Sequence, residues 1–153
     1  MQSEAEKLTS HKVTKISGRT RRGTKRGSWR IASDLPSSFR YAAKGLIYAF
    51  ASQRNFRIHL FIGALVFSLA VWLKLEISYL AILVLTVTAV LVLELLNTAI
   101  EAAVDLSIGR RYHPLARIAK DCSAAAVLAA SISSLLIALL LILPPFLNQV
   151  GFN

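Results

Sequence analysis

Residues 77–106 read ISYLAILVLTVTAVLVLELLNTAIEAAVDL, and this stretch decides the fold. Nothing from Ile77 to Leu93 is charged, and apolar residues continue past Glu94. A membrane-spanning helix needs about 20 such residues. The lower half then departs from the pattern with Glu94, Asn97, Glu101 and Asp105. At about 100° per residue, with Glu94 as zero, Asn97 falls near about −60°, Glu101 near about −20°, Asp105 near about +20° and Thr98 near about +40°. All share one helical face. An ionised carboxylate inside a bilayer costs at least about 2.5–3.5 kcal/mol, so the stripe must face a protein interior, a cation or water. Asn and Thr suit a structural seam between helices, but Glu and Asp do so poorly unless paired.

Two more apolar runs flank this one. Upstream lies Ile58–Leu73, with His59 as its one strongly polar member and residues 53–57 able to extend it. Downstream lies Cys122–Leu143, expected to end at Pro144 and Pro145. The expected spans are about 56–73, 77–100 and 121–143. Lys74-Leu75-Glu76 makes a minimal turn between the first two, with Trp72 and Tyr79 as an aromatic belt. His59 is expected at headgroup level. Ser107–Lys120 makes a longer, basic connection with Arg110, Arg111, Arg117 and Lys120. The positive-inside rule puts that connection and the N-terminus in the cytoplasm.

The rest of the composition agrees. The 153 residues are 55% hydrophobic, more than a soluble domain of this length carries. Of 18 Lys and Arg residues, 13 precede residue 58 and the last 30 positions hold none. Residues 1–35 are basic and poor in large apolar groups, so they are expected to be a disordered tail. Beside a membrane core such a tail attracts anionic lipid headgroups more simply than nucleic acid. Residues 36–52 place Phe39, Ala43, Leu46 and Phe50 on one helical face with Arg40 and Lys44 on another, an amphipathic helix for the membrane surface. The expected organisation is therefore a tail, a three-span domain over 36–146 whose surface helix is 36–52, and a short C-terminal tail, 147–153. The single cysteine, Cys122, excludes an internal disulfide and reads as a small packing residue.

Lys120 and Asp121 open the third span, before the small residues Ser123, Ala124, Ala125 and Ala126. Lys120 has two partners in prospect, a carboxylate of the second helix and a phosphate. Carboxylates at a membrane surface suit Mg²⁺, which binds through one or two of them plus nucleotide phosphates. Neither GxxxxGK[ST], HRD, DFG, HExxH nor CxxC occurs, which excludes the common nucleotide and zinc architectures. A proton or cation transport subunit is the competing class. It calls for a stripe reaching deep into the membrane, whereas these acids cluster at one end. A membrane adaptor would explain the tail but leave Glu94, Glu101 and Lys120 unexplained.

Glu94-Leu-Leu-Asn97-Thr-Ala-Ile-Glu101-Ala-Ala-Val-Asp105 resembles the signature of the small prokaryotic diacylglycerol kinase and undecaprenol kinase family. Ala119-Lys120-Asp121 with the small residues after it, and Arg54-Asn55-Phe56-Arg57-Ile58-His59, are similar to further family segments. The resemblance covers roughly residues 37–142. It implies an all-α homotrimer of three-span subunits in a prokaryotic inner membrane, with active sites between subunits at the cytoplasmic surface. Mg-ATP would phosphorylate the hydroxyl of a membrane lipid, undecaprenol or diacylglycerol. Arg54–His59 and His113-Pro114 look more like the undecaprenol branch. By the same resemblance Glu94 would be the general base, Glu101 a magnesium ligand and Asn97 a positioning group. Lys120 and Asp121 would contact the nucleotide, with Tyr112, His113 and Tyr41 near it. One position departs from the pattern: Gln53 stands where the family commonly has a second metal-binding Glu.

Overall fold

The computed structural model describes residues 35–109 and 111–151. Of the expected tail, 1–35, all but Leu35, which opens the first helix, lies outside the described residues, His11 and Trp29 included, as do Arg110 and the last two positions. Among the described residues there are four helices: α1 (Leu35–Ser52), α2 (Arg54–Trp72), α3 (Ile77–Ile108) and α4 (Pro114–Val150). The last three are each long and apolar enough to cross a membrane.

Each break has a local cause. Gln53 takes an extended conformation between α1 and α2. At the α2–α3 turn, Lys74 adopts the left-handed conformation, φ 55°. Leu75 N–H then donates to Ala70 O at 3.1 Å, and Lys74 N–H to Val71 O at 3.0 Å. These bonds close the end of α2 as a Schellman motif, with Leu75 against the core beside Ala70. α3 ends at Gly109, φ 61°, a conformation glycine adopts without a Cβ penalty. His113 caps α4: its Nδ1 accepts from Leu115 N–H at 3.2 Å, and Pro114 takes the first helical position.

Two expectations about the third span need correction. The third long helix begins at Pro114, not near Lys120, so only five residues connect it to α3. Pro at the first position with a histidine cap starts the helix inside the supposed loop. Nor do Pro144 and Pro145 end it, since α4 runs on to Val150 with both prolines inside. Proline's fixed φ is a helical value, and its cost is one lost donor and a carbonyl clash. Both lie in the last two turns, beyond the ~30 Å that the hydrocarbon core requires of a helix rising about 1.5 Å per residue.

α3 is the central helix, packed along α4 and along α2, which touch each other little. Near the α2–α3 turn, Ala70, Leu83 and Ile142 form the core. Gly63 lets α2 approach α3: a Cβ there would stand 2.5 Å from Val87 Cγ1. Large apolar side chains such as Leu85, Leu106 and Leu140 stay exposed, as the lipid-facing surface of spanning helices does. Cys122 is exposed on α4 instead of packed against a neighbour. Its helical neighbour Ser123 is the one turned inward, and adjacent positions point about 100° apart.

Candidate active site

Among the described residues, Glu94 is the only buried charged side chain, at 3% exposure. Its Oε1 has no hydrogen-bond partner. Thr98 Oγ1 donates back to the Glu94 carbonyl at 2.9 Å, which occupies that hydroxyl's proton within α3. The Asn55 side chain and His59, both on α2, face the Glu94 carboxylate. His59 Nε2 lies 3.8 Å from Glu94 Oε1 and 3.5 Å from Ser131 Oγ on α4. The packing of three helices turns His59 inward, which periodicity along α2 alone did not show.

One turn further along α3, Asn97 Nδ2 donates to Glu101 Oε1 at 3.1 Å. Asn97 Oδ1 accepts from Ser123 Oγ of α4 at 2.6 Å. Beyond these, Lys120 Nζ donates to Asp105 Oδ1 at 2.5 Å. The stripe is thus met from both sides: α2 faces Glu94, and α4 supplies partners to Asn97 and Asp105. Lys120 pairs with a carboxylate of the neighbouring helix, one of the two partners it had in prospect. Sequence reasoning passed over Ser123 as merely small; only the approach of α4 to α3 reveals its role as a donor.

The other expected site residues stand apart. Asp121 pairs with Arg117 at 3.5 Å, both well exposed. Gln53 Nε2 donates to Ser52 Oγ at 3.3 Å at the α1–α2 break. Tyr41 has the Arg40 guanidinium 5.7 Å and the Lys44 ammonium 5.9 Å from its ring centroid, a cation–π cluster on α1. Tyr112 and His113 line an open crevice with Ser107 and Arg111. Among the described residues no hydrogen bond or ion pair joins these side chains to the Glu94–Lys120 group.

No cluster of three or more His, Cys, Asp or Glu side chains suited to a metal occurs among the described residues. This does not disqualify Mg²⁺, which usually keeps several waters and uses one or two carboxylates with substrate phosphates. Glu101, half-buried with Oε1 held by Asn97, fits as one such ligand.

A cavity of about 210 Å³ lies between α2, α3 and α4. His59 and Ser131 line it along with Gly63, Val66, Leu83 and Val90.

Comparison with known proteins shows the family. The family model described as "Prokaryotic diacylglycerol kinase" matches residues 40–142. A diacylglycerol kinase of Synechocystis is 52% identical over 124 residues, covering 81% of this chain and 71% of that one. An undecaprenol kinase of Bacillus subtilis is 39% identical over 107 residues, covering 70% and 86%. A diacylglycerol kinase of Escherichia coli is 40% identical over 92 residues, covering 60% and 75%. With the family model matching residues 40–142, most of the helical region, the chain belongs to the prokaryotic diacylglycerol kinase family of membrane lipid kinases.

Proposed function

We propose that this protein transfers the γ-phosphoryl group of Mg-ATP to the hydroxyl of a membrane lipid, diacylglycerol or undecaprenol. The observation that carries the reading is Glu94: a buried carboxylate with an unpartnered oxygen, beside a polar group drawn from two helices. A group so placed costs stability and suits a general base.

In the proposed step, Glu94 accepts the proton of the lipid hydroxyl. The hydroxyl oxygen forms a bond to the γ-phosphorus, the bond from that phosphorus to the β,γ-bridging oxygen breaks, and ADP leaves. Asn97 holds Glu101 in place through the bond they share. Lys120 exchanges Asp105 for a phosphate oxygen when nucleotide arrives, and Asp121 joins it in the contact. Bound magnesium, held by Glu101 with Gln53 as a weaker neutral ligand, would screen the phosphate charge. Tyr112 and His113 border the open crevice of the α3–α4 connection, and Tyr41 adds a nucleotide contact from α1. The cavity between α2, α3 and α4 gives the lipid chain next to the reacting hydroxyl an apolar surface.

The enzyme works as a homotrimer of three-span subunits in a prokaryotic inner membrane. Its N-terminus and α3–α4 connection lie on the cytoplasmic side, α1 lies in the interface, and the basic tail rests on anionic lipid. The charge pattern supports that orientation, because apart from Lys74 the Lys and Arg residues lie in the tail, on α1, at the start of α2, and in the α3–α4 connection with the first two turns of α4.

The test is transfer of labelled γ-phosphate by the purified protein in mixed micelles, with undecaprenol and diacylglycerol offered separately. Labelled lipid is expected, and the ratio of rates names the acceptor. Glu94→Ala should lower kcat at least ~100-fold while keeping the helical circular dichroism spectrum. Absence of labelled product from both lipids at saturating Mg²⁺ overturns the kinase reading.

A further inference from the structure

His59 has no part in the transfer step described so far, yet it is the group on α2 that meets both other long helices at Glu94. Its Nε2 stands 3.8 Å from Glu94 Oε1 on α3 and 3.5 Å from Ser131 Oγ on α4. Ser131 Oγ donates to Val127 O at 2.8 Å. With its one proton on the Val127 carbonyl, Ser131 accepts from His59. The tautomer that suits both neighbours carries hydrogen on Nε2, between the Ser131 oxygen and the unpartnered Glu94 oxygen. The carboxylate is acceptor-only when ionised, so the two groups are matched. The 3.8 Å separation exceeds a hydrogen bond by less than ~1 Å, and catalytic bonds commonly tighten only when substrate binds.

We propose that His59 is the positioning residue of Glu94: its Nε2–H engages Oε1 and leaves Oε2 as the oxygen that faces the acceptor hydroxyl. The role needs only neutral imidazole. Ser131 holds the ring's tautomer, in the way that a third group orients the base of a nucleophile–base pair. Asn55, one turn earlier on the same side of α2, faces the same carboxylate. α2 thus governs the direction of a side chain that α3 carries. The proposal rests on Glu94 acting as the base.

The experiment compares wild type, His59→Ala, His59→Gln and Glu94→Ala in the mixed-micelle assay, measuring kcat and both KM values. Helical content and thermal stability are recorded for each. His59→Ala should lose kcat by ~10–100-fold, the usual range for groups that orient a working side chain, with KM for lipid and ATP unchanged within about twofold. His59→Gln keeps an N–H donor and should recover kcat to within about fivefold of wild type. Wild-type kcat in His59→Ala overturns the proposal. So does a loss confined to KM, or a folded His59→Gln as slow as His59→Ala. If His59→Ala fails to fold, kcat of His59→Gln decides alone, and a value near wild type with unchanged KM upholds the role. Full activity of Glu94→Ala would instead sink the base assignment itself, so the two failures are told apart.

Discussion

Ser123 Oγ on α4 lies 2.6 Å from Asn97 Oδ1 on α3, and Asn97 Nδ2 in turn donates to Glu101. Because a carboxylate accepts and does not donate, Asn97 must turn its amide nitrogen to Glu101. Toward Asn97 Ser123 is then the donor, with the Lys120 carbonyl 2.9 Å away as the competing acceptor for its one proton. The direction of the whole chain, α4 to α3 to Glu101, follows from one charge.

Ser123→Ala removes that donor and leaves a half-buried amide oxygen without it. The expected loss is about 0.6 kcal/mol, typical of an interhelical hydrogen bond in a membrane protein, measured by reversible unfolding in micelles. Activity should fall more than stability does, since Asn97 is then free to turn from Glu101. Unchanged kcat would show that the Asn97 orientation is held by Glu101 alone.

Gly63 touches Val87 so closely that an added Cβ would meet Val87 Cγ1 at 2.5 Å. Gly63→Ala should therefore destabilise by about 1–3 kcal/mol, the cost of overpacking. Val87→Ala in the same chain should restore most of it by removing the methyl that clashes. Failure of the second substitution to help would mean that α2 simply moves away.

Lys120 and Asp105 form an ion pair that is about half exposed. Exposed pairs contribute little, about 0–1 kcal/mol, so Lys120→Ala should hardly shift the thermal midpoint. A charge-assisted bond to phosphate contributes about 1.5–3 kcal/mol, so KM for ATP should rise at least ~10-fold. A large stability loss with unaltered KM would leave Lys120 a purely structural residue.

Gln53 is a neutral amide at the α1–α2 break, hydrogen-bonded to Ser52. A carboxylate there would bind a hard cation more strongly than an amide oxygen does. Gln53→Glu should lower the Mg²⁺ concentration for half-maximal activity. An unmoved magnesium titration would put Gln53 away from the metal.

The apolar runs and the stripe of Glu94, Asn97, Glu101 and Asp105 were legible along the chain, because both depend on periodicity within one helix. Helix ends were less so. His113 caps α4 well before the apolar run begins, and Pro144 and Pro145 stay helical because their backbone angle suits a helix. Of the partners, only a carboxylate for Lys120 was legible. Ser123 and His59 are ordinary residues in their own helices, and nothing in their spacing names Asn97 or Glu94.

By itself the sequence determined three helices able to cross a membrane, one polar face on the second, and the family. Those follow from local composition and from side chains at fixed angles about a helix axis. Only the tertiary structure decided that Glu94 is buried with an unpartnered oxygen, that His59 and Ser131 meet beside it, and that Ser123 orients Asn97. Such contacts join residues far apart in the chain, and their geometry depends on how closely α2 and α4 pack on α3.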